Sequence, residues 1–141
     1  MKPVLTRMVG AVLTITFVML MSISPNIIVD AQAASKCRVE GIKKGTNAAL
    51  RDNLCKLSRA LGPVEVTSSC RTTKANRSVK KSYHLYNRGC KAADVVIAGV
   101  GKQKILNWWG KNVGGGRGYY CGRRFVHVDV GPKRSWRWYC G

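Results

Sequence analysis

A helical pattern of hydrophobic residues comes first after the N-terminal region of the chain. The apolar positions are spaced by four, three and four residues, which places them on one face of an α-helix: Leu50, Leu54, Leu57 and Leu61. Thr46 before them is a good N-cap, and Gly62-Pro63 after them stops a helix. The pattern therefore predicts an amphipathic helix between Thr46 and Gly62.

The rest of the chain mixes alternating and short apolar segments. Residues 64–68 alternate and are rich in β-branched side chains, and residues 92–98 form an apolar run, so both are predicted strands. Residues 102–111 have the spacing of a second helix, and residues 119–121 and 125–130 are predicted to pair as a hairpin. Helices and strands do not alternate regularly, which favours a small α+β domain with an antiparallel sheet and flanking helices.

Polar residues interrupt this pattern where chemistry is possible. Asp94 breaks the apolar run of its strand, and a carboxylate that is buried there needs a cationic or metal partner. On the strand 125–130, His127 and Asp129 share one face, because side chains alternate, while the valines share the other. His84 lies in the long polar segment 72–91, which we predict to be a functional loop. The alternative is an exposed His/Asp pair with no ligand.

The first 33 residues have the features of a secretory signal peptide. Lys2 and Arg7 precede an uncharged, mostly apolar run over residues 8–23, and Ala31-Gln32-Ala33 is a small-residue cleavage site. We predict cleavage after Ala33, which leaves one domain, residues 34–141, in the periplasm or outside the cell. An uncleaved membrane anchor is the alternative.

Charge narrows the range of partners. The formal net charge is +19, and it becomes +18 once Lys2, Arg7 and Asp30 are removed with the signal peptide. Such a surface attracts polyanions, which for an exported protein are wall polymers, anionic lipid headgroups and the carboxylates of peptidoglycan. Nothing in the chain matches a nucleic-acid-binding module, so we expect no specific nucleic acid, and we expect a monomer.

Six cysteines fall within the predicted mature domain, at positions 37, 55, 70, 90, 121 and 140. An even number in a small exported domain predicts three disulfides, and a bond from Cys37 to Cys55 would tie the first helix to the N-terminal segment. A structural zinc site is the alternative, but the chain has no Cys-x-x-Cys pair.

The order of these motifs resembles the M15 peptidase family. The matching stretches are Val66-Thr67-Ser68-Ser69-Cys70-Arg71, Ser82-Tyr83-His84-Leu85-Tyr86, Ala92-Ala93-Asp94 and residues 125–132. The resemblance covers about residues 64–138. It implies a hedgehog-like fold and the activity of an exported zinc D-alanyl-D-alanine carboxypeptidase or related endopeptidase, acting on peptidoglycan stem peptides.

The resemblance also implies the roles of individual residues. His84, Asp94 and His127 would bind Zn²⁺, and two imidazole nitrogens with one carboxylate oxygen suit that metal. Arg71 would hold a substrate carboxylate, and Ser82 would hydrogen-bond to the substrate.

Two departures from the family pattern qualify this transfer. The spacing from His84 to Asp94 is longer than usual, and we predict that a Cys70–Cys90 disulfide holds the extra residues. Many members carry an acid two or three residues before the last ligand, where this chain has Arg124 and Phe125. Asp129 is then the candidate catalytic base, or alternatively a residue that orients His127.

Two other functions remain open at this point. The missing upstream acid motivates a non-catalytic cell-wall-binding module on the same scaffold, and charge alone motivates a cationic protein that binds membranes or nucleic acid. The four tryptophans are interpreted as core or rim packing rather than as platforms for sugars: Trp108, Trp109, Trp136 and Trp138.

Overall fold

The computed structural model describes residues 36–72 and 82–141, and the predicted signal peptide and the basic run 74–81 lie outside these ranges. The described residues form six strands and two α-helices. In chain order these are β1 (Val39–Glu40), α1 (Ala48–Leu61), β2 (Val64–Ser68), β3 (Ala92–Ile97), α2 (Lys102–Asn112), β4 (Gly116–Tyr120), β5 (Val126–Asp129) and β6 (Arg134–Trp138). A short 3₁₀ turn, Tyr86–Arg88, precedes β3.

The strands form one sheet in the order β1-β2-β3-β5-β4-β6. The α+β class with flanking helices is confirmed, and the sheet is mixed: its three central pairings are antiparallel as predicted, whereas β1 pairs with β2 and β4 pairs with β6 in parallel. The tail that follows β5 crosses the start of β4 and adds β6 on its far side. Gly115 and Gly116 permit this crossing, since a Cβ atom at either position would clash with Asp129.

The N-cap of helix α1 lies one residue later than predicted. Asn47, not Thr46, is the N-cap, and its side chain accepts the backbone N–H of Leu50 at 3.3 Å. Thr46 is buried, and its hydroxyl donates to the carbonyl of Lys43 at 2.7 Å. The leucine pattern itself is confirmed, since Leu50, Leu54 and Leu57 are fully buried.

Both helices cover the same face of the sheet, which we call the helix face. Its core contains the three buried leucines of α1, the side chains Ile105, Leu106 and Trp109 of α2, and the alternate strand residues Val64, Val66, Ala93, Val95, Ile97, Val126 and Val128. The opposite face, which we call the cleft face, carries Asp94, His127 and Asp129. The two-residue alternation of β3 and β5 therefore separates the core from the polar residues.

Three disulfides join segments that are distant in sequence: Cys37–Cys55, Cys70–Cys90 and Cys121–Cys140. The first two agree with the predicted pairs, and the third ties the end of the chain to the residue after β4. Within the ranges 36–72 and 82–141, no helix is long and apolar enough to cross a membrane.

Candidate metal centre and cleft

Two of the predicted ligands are cross-strand neighbours. Asp94 of β3 lies directly opposite His127 of β5, and Ala92 lies opposite Asp129. Side chains at directly opposed positions of adjacent strands stand close together on one face. The pairing register therefore brings Asp94, His127 and Asp129 together at the centre of the cleft face.

His84 reaches the same point from the loop before β3. Its carbonyl accepts the backbone N–H of Arg71 at 2.7 Å, and the N–H of Tyr86 donates to the carbonyl of Arg71 at 3.0 Å. The Cys70–Cys90 disulfide lies beside this two-bond ladder. Backbone pairing and a covalent bond thus fix His84 over the sheet, although it belongs to no strand.

The three side chains present one atom each to a common point. His84 Nε2 lies 3.1 Å from His127 Nδ1, and each of these nitrogens lies 3.3 Å from Asp94 Oδ1. Ligands bound tetrahedrally to zinc at about 2.0–2.2 Å are separated by roughly 3.3–3.5 Å. The observed triangle is therefore close to the size of one face of a zinc coordination shell. All three residues are buried.

Each histidine has one ring nitrogen that faces Asp94, the inward nitrogen, and one that faces away from it, the outward nitrogen. The hydrogen bond of the outward nitrogen decides whether the inward nitrogen carries a proton or a lone pair. His84 Nδ1 donates to the carbonyl of Ser69 at 2.7 Å, and His127 Nε2 donates to Asp129 Oδ2 at 3.0 Å. A carbonyl and a carboxylate only accept hydrogen bonds, so in a neutral imidazole the proton lies on the outward nitrogen. Both inward nitrogens then present lone pairs to Asp94, and three acceptors face one another.

Three facing acceptors repel one another unless a cation lies between them, so this centre attracts positive charge. Burial alone would lower the pKa of His127, but hydrogen bonds with Asp129 and Asp94 outweigh it and raise this pKa. Burial alone would raise the pKa of Asp94, but hydrogen bonds from the protonated forms of His127 and His84 hold it well below its usual range. The donor set therefore fits a divalent metal ion such as zinc.

Asp129 is fully buried, and both of its carboxylate oxygens are engaged. Oδ1 accepts the backbone N–H groups of Gly116 and Gly131 at 3.0 and 2.8 Å, and Arg134 donates to Oδ2 at 2.5 Å. Burial alone would raise the pKa of Asp129, but hydrogen bonds from His127 and from these backbone groups hold it at about 2. The carboxylate is thus an ionised acceptor locked against the outward nitrogen of His127.

Arg71 and Ser82, the predicted substrate contacts, both border the cleft. Arg71 Nη2 donates to Asp94 Oδ2 at 2.6 Å, and its Nε donates to Ser68 at 2.7 Å. Ser82 accepts the backbone N–H of His84 at 3.2 Å. Both residues therefore also support the metal-ligand cluster.

An open cleft of about 730 Å³ lies over this cluster. Sequence reasoning missed one of its residues, Arg134, and interpreted another, Trp136, as packing only; they lie five and seven positions after Asp129. The Arg134 guanidinium packs 4.7 Å from the ring of Tyr83, and the Trp136 ring lies 5.0 Å from that of His127. No strand was predicted over residues 134–138, so the strand alternation that directs both side chains toward the cleft could not be anticipated.

Comparison with known proteins identifies the family of the chain. A sequence profile of the Peptidase M15 family matches residues 26–129, which is most of the chain. The chain belongs to the Peptidase M15 family. It is 34% identical over 104 residues to the peptidoglycan L,D-endopeptidase MepK of Escherichia coli strain K12, covering 66% of this chain and 56% of that protein.

A second relative gives the same family with less coverage. The probable peptidoglycan L,D-endopeptidase MepK of Haemophilus influenzae is 38% identical over 71 residues, covering 50% of this chain and 37% of that protein. The chain thus spans only about half or less of the length of these curated relatives. No solved structure matches the chain. Family membership confirms the resemblance seen in the sequence and makes the chain a peptidoglycan peptidase relative.

Proposed function

We propose that this protein is an exported, zinc-dependent peptidoglycan hydrolase that cleaves a peptide bond within stem peptides or their cross-links. The observation that carries this proposal is the buried triangle of three acceptors formed by His84, Asp94 and His127 at 3.1–3.3 Å. When bound there, zinc supplies Lewis acidity and makes water a good nucleophile near neutral pH. Family membership supports peptidoglycan as the substrate.

The side chains around the ligands hold them in one orientation. Asp129 and the Ser69 carbonyl each fix the tautomer of one histidine, and Arg71 occupies the outer oxygen of Asp94. Outer contacts of this kind fix ligand geometry and raise metal affinity. We therefore assign Asp129 the orienting role, because both of its oxygens are engaged, rather than the role of a free proton acceptor.

We place an endopeptidase ahead of a carboxypeptidase. Arg71 is the residue predicted to hold the terminal carboxylate of a carboxypeptidase substrate, and two of its nitrogens are engaged by Asp94 and Ser68. The cleft is also open to solvent rather than enclosed, as an enzyme that cleaves within a longer chain requires. The names of the relatives add the L,D bond type as the leading hypothesis, and the D,D bond predicted from the sequence is the alternative.

A non-catalytic wall-binding module is the second candidate function. Among the described residues that line the cleft, Asp94 is the one acidic side chain, and it is also a proposed ligand. The cleft as described therefore lacks a carboxylate free to accept a proton. This observation favours a module that binds the wall without cleaving it.

The test is digestion of three purified substrates by the zinc-loaded mature protein. These are a cross-linked muropeptide dimer whose bridging bond joins an L- to a D-centre, a dimer whose bridging bond joins two D-centres, and a stem peptide ending in D-Ala-D-Ala. We expect cleavage of the first, monitored by mass spectrometry, and none by Asp94→Asn. Binding to sacculi without any product would favour the module and contradict the hydrolase.

Export is a separate part of the proposal. The three disulfides fit an oxidising compartment, and the predicted leader supplies the route to it. Mass spectrometry of the exported protein should give an N-terminus at Ala34. Retention of Met1 would contradict the predicted cleavage.

A further inference from the structure

A series of aromatic rings leads from the metal-ligand cluster to the outer edge of the cleft. The Trp136 ring lies 5.0 Å from His127, the Trp138 ring 6.2 Å from Trp136, and the Tyr139 ring 6.5 Å from Trp138. The Tyr120 ring lies 5.7 Å from Trp138. We call Tyr120, Trp136, Trp138 and Tyr139 the aromatic wall. The chemistry proposed for the metal centre does not use it.

Packing explains the inner part of this wall but not the outer part. Trp138 is 49% exposed and Tyr139 is 72% exposed, whereas Trp109 on the helix face is fully buried. Trp136 covers His127, as the interpretation of rim packing expected. Adjacent exposed aromatic side chains that border a cleft are typical of a binding surface, because burying them against a ligand is favourable. The interpretation of Trp138 as packing is therefore incomplete.

The wall is held rigidly before any ligand arrives. Strand β6 pairs with β4 along its length, and the backbone N–H of Cys121 donates to the carbonyl of Trp138 at 3.0 Å. The Cys121–Cys140 disulfide closes the segment just after Tyr139. Gly118 makes room for the wall, since a Cβ atom there would clash with the Trp136 indole. A surface fixed in this way loses little entropy on binding.

The chemistry of peptidoglycan identifies an occupant, and this step rests on the function proposed above. Stem peptides consist of small and charged residues with no broad apolar face. The pyranose rings of the glycan strand have such faces, built from C–H groups, and carry hydroxyl and acetamido groups around their edges. Arg123 and Ser135 line the same cleft and offer polar partners for those edges.

We propose that the aromatic wall binds the N-acetylated sugars of the glycan strand. The wall begins at the ligand His127, so a sugar bound on it lies beside the peptide that enters the metal centre. The protein then acts preferentially on peptides still attached to glycan. A lipid interface would also contact exposed aromatic rings, and the experiment separates these two occupants.

The binding experiment uses zinc-loaded mature protein and chitotetraose, a peptide-free oligomer of N-acetylglucosamine. Trp138→Ala and Tyr139→Asn remove one ring each, and Asn tolerates the positive φ of position 139. Tyr86→Ala is the matched control, because Tyr86 is an exposed ring outside the cleft. Nuclear magnetic resonance of the indole N–H groups and calorimetry measure the affinity.

We expect the wild type and Tyr86→Ala to bind chitotetraose equally, and each wall variant to bind about tenfold more weakly. Circular dichroism and thermal melting establish that the variants are folded. If Trp138→Ala does not fold, Tyr139→Asn still provides the test, because position 139 is 72% exposed. Equal binding by the wild type and wall variants, or binding of the wall to anionic vesicles but not to chitotetraose, would overturn the proposal.

Turnover separates this inference from the proposed function. The substrates are a cross-linked dimer that carries its sugars and the same dimer after an amidase has removed them. We expect the preference for the sugar-bearing dimer to fall about tenfold in Trp138→Ala. Cleavage of both dimers at equal rates by the wild type would overturn the wall and leave the hydrolase intact. Chitotetraose binding without cleavage of either dimer would support the wall and contradict the hydrolase.

Discussion

The two faces of the sheet are built by the same strands and are held together in different ways. On the helix face, Val95, Val126 and Val128 are fully buried against the helices, and the hydrophobic effect that stabilises them is non-directional. On the cleft face, Asp94 and His127 are almost as buried, but each has directional contacts. Because side chains alternate along β3 and β5, one face of the sheet can stabilise the fold while the other holds the polar residues of the site.

Electrostatics sharpens the contrast between the faces. Each of the two buried acids of the cleft face has its own arginine, at 2.6 Å for Asp94 and Arg71 and at 2.5 Å for Asp129 and Arg134. These pairs balance the buried carboxylates, each of which would be unfavourable without a cationic partner. We therefore attribute the proposed metal ion to the three acceptors that face one another, and not to unbalanced carboxylate charge.

The largest expected effect is loss of activity on the cleft face. His84→Ala removes one proposed ligand, and we expect the rate of hydrolysis of the L,D-bridged dimer to fall by more than about a hundredfold. This loss exceeds the roughly 10–100-fold loss typical when a residue that only orients a metal ligand is replaced. Asn87→Ala, an exposed change in the same loop, is the control and should retain activity. Near wild-type turnover by His84→Ala would refute the assignment of this ligand.

The next effect lies on the helix face and concerns stability. Leu54→Ala removes a fully buried side chain, and we expect the free energy of unfolding to fall by about 2–5 kcal/mol. Leu61→Ala, at the half-buried end of α1, should cost less. Urea denaturation measures the change, and zinc affinity of the folded fraction should stay constant. A variant that loses zinc affinity while remaining folded would show that the two faces are coupled.

A smaller effect tests the role of Asp129 directly. Asp129→Asn keeps the shape of the side chain but weakens its hydrogen bond to His127, and we expect zinc affinity to fall about 10–100-fold. Chelator competition measures this affinity, and the exposed change Asp52→Asn is the control. Unchanged zinc affinity together with lost turnover would instead identify Asp129 as the catalytic base.

The smallest effect concerns an exposed ion pair of the same sheet. Arg124 and Glu65 lie 2.6 Å apart, but their side chains are 68% and 51% exposed, so solvent screens the pair. We expect Glu65→Gln to lower the free energy of unfolding by less than about 1 kcal/mol, and by less still at high salt. A loss comparable to that of Leu54→Ala would mean that surface charge contributes more than this account allows.

Sequence alone predicted the helix face well because its pattern is periodic. The leucines of α1 and the valines of β5 repeat at the periods of a helix and a strand, so burial follows from spacing. The cap of α1 was misplaced by one residue, since Thr46 and Asn47 are both good caps and the Thr46 hydroxyl donates instead to the carbonyl of Lys43. Strand β6 was missed because a charged and two aromatic side chains, Arg134, Trp136 and Trp138, share one of its faces, so its sequence does not alternate between apolar and polar residues.

The cleft face was predicted only in part, since its contacts depend on register. The order of the motifs identified His84, Asp94 and His127. Their meeting at one point depends on two features that the sequence does not show: the register that places Asp94 opposite His127, and the backbone hydrogen bonds between Arg71 and the His84 loop. The engagement of Asp129 by Arg134 was not predictable, because it depends on the crossing of β4 by the chain.

The central claim is that His84, Asp94 and His127 form one zinc site. Its most direct test is the zinc content of the purified mature protein, measured by mass spectrometry after equilibration with zinc and removal of excess metal. We predict one zinc per chain in the wild type and less than a tenth of that (roughly a tenfold or greater loss of occupancy) in His127→Ala. No bound zinc in the wild type, or equal zinc in His127→Ala, would contradict the claim.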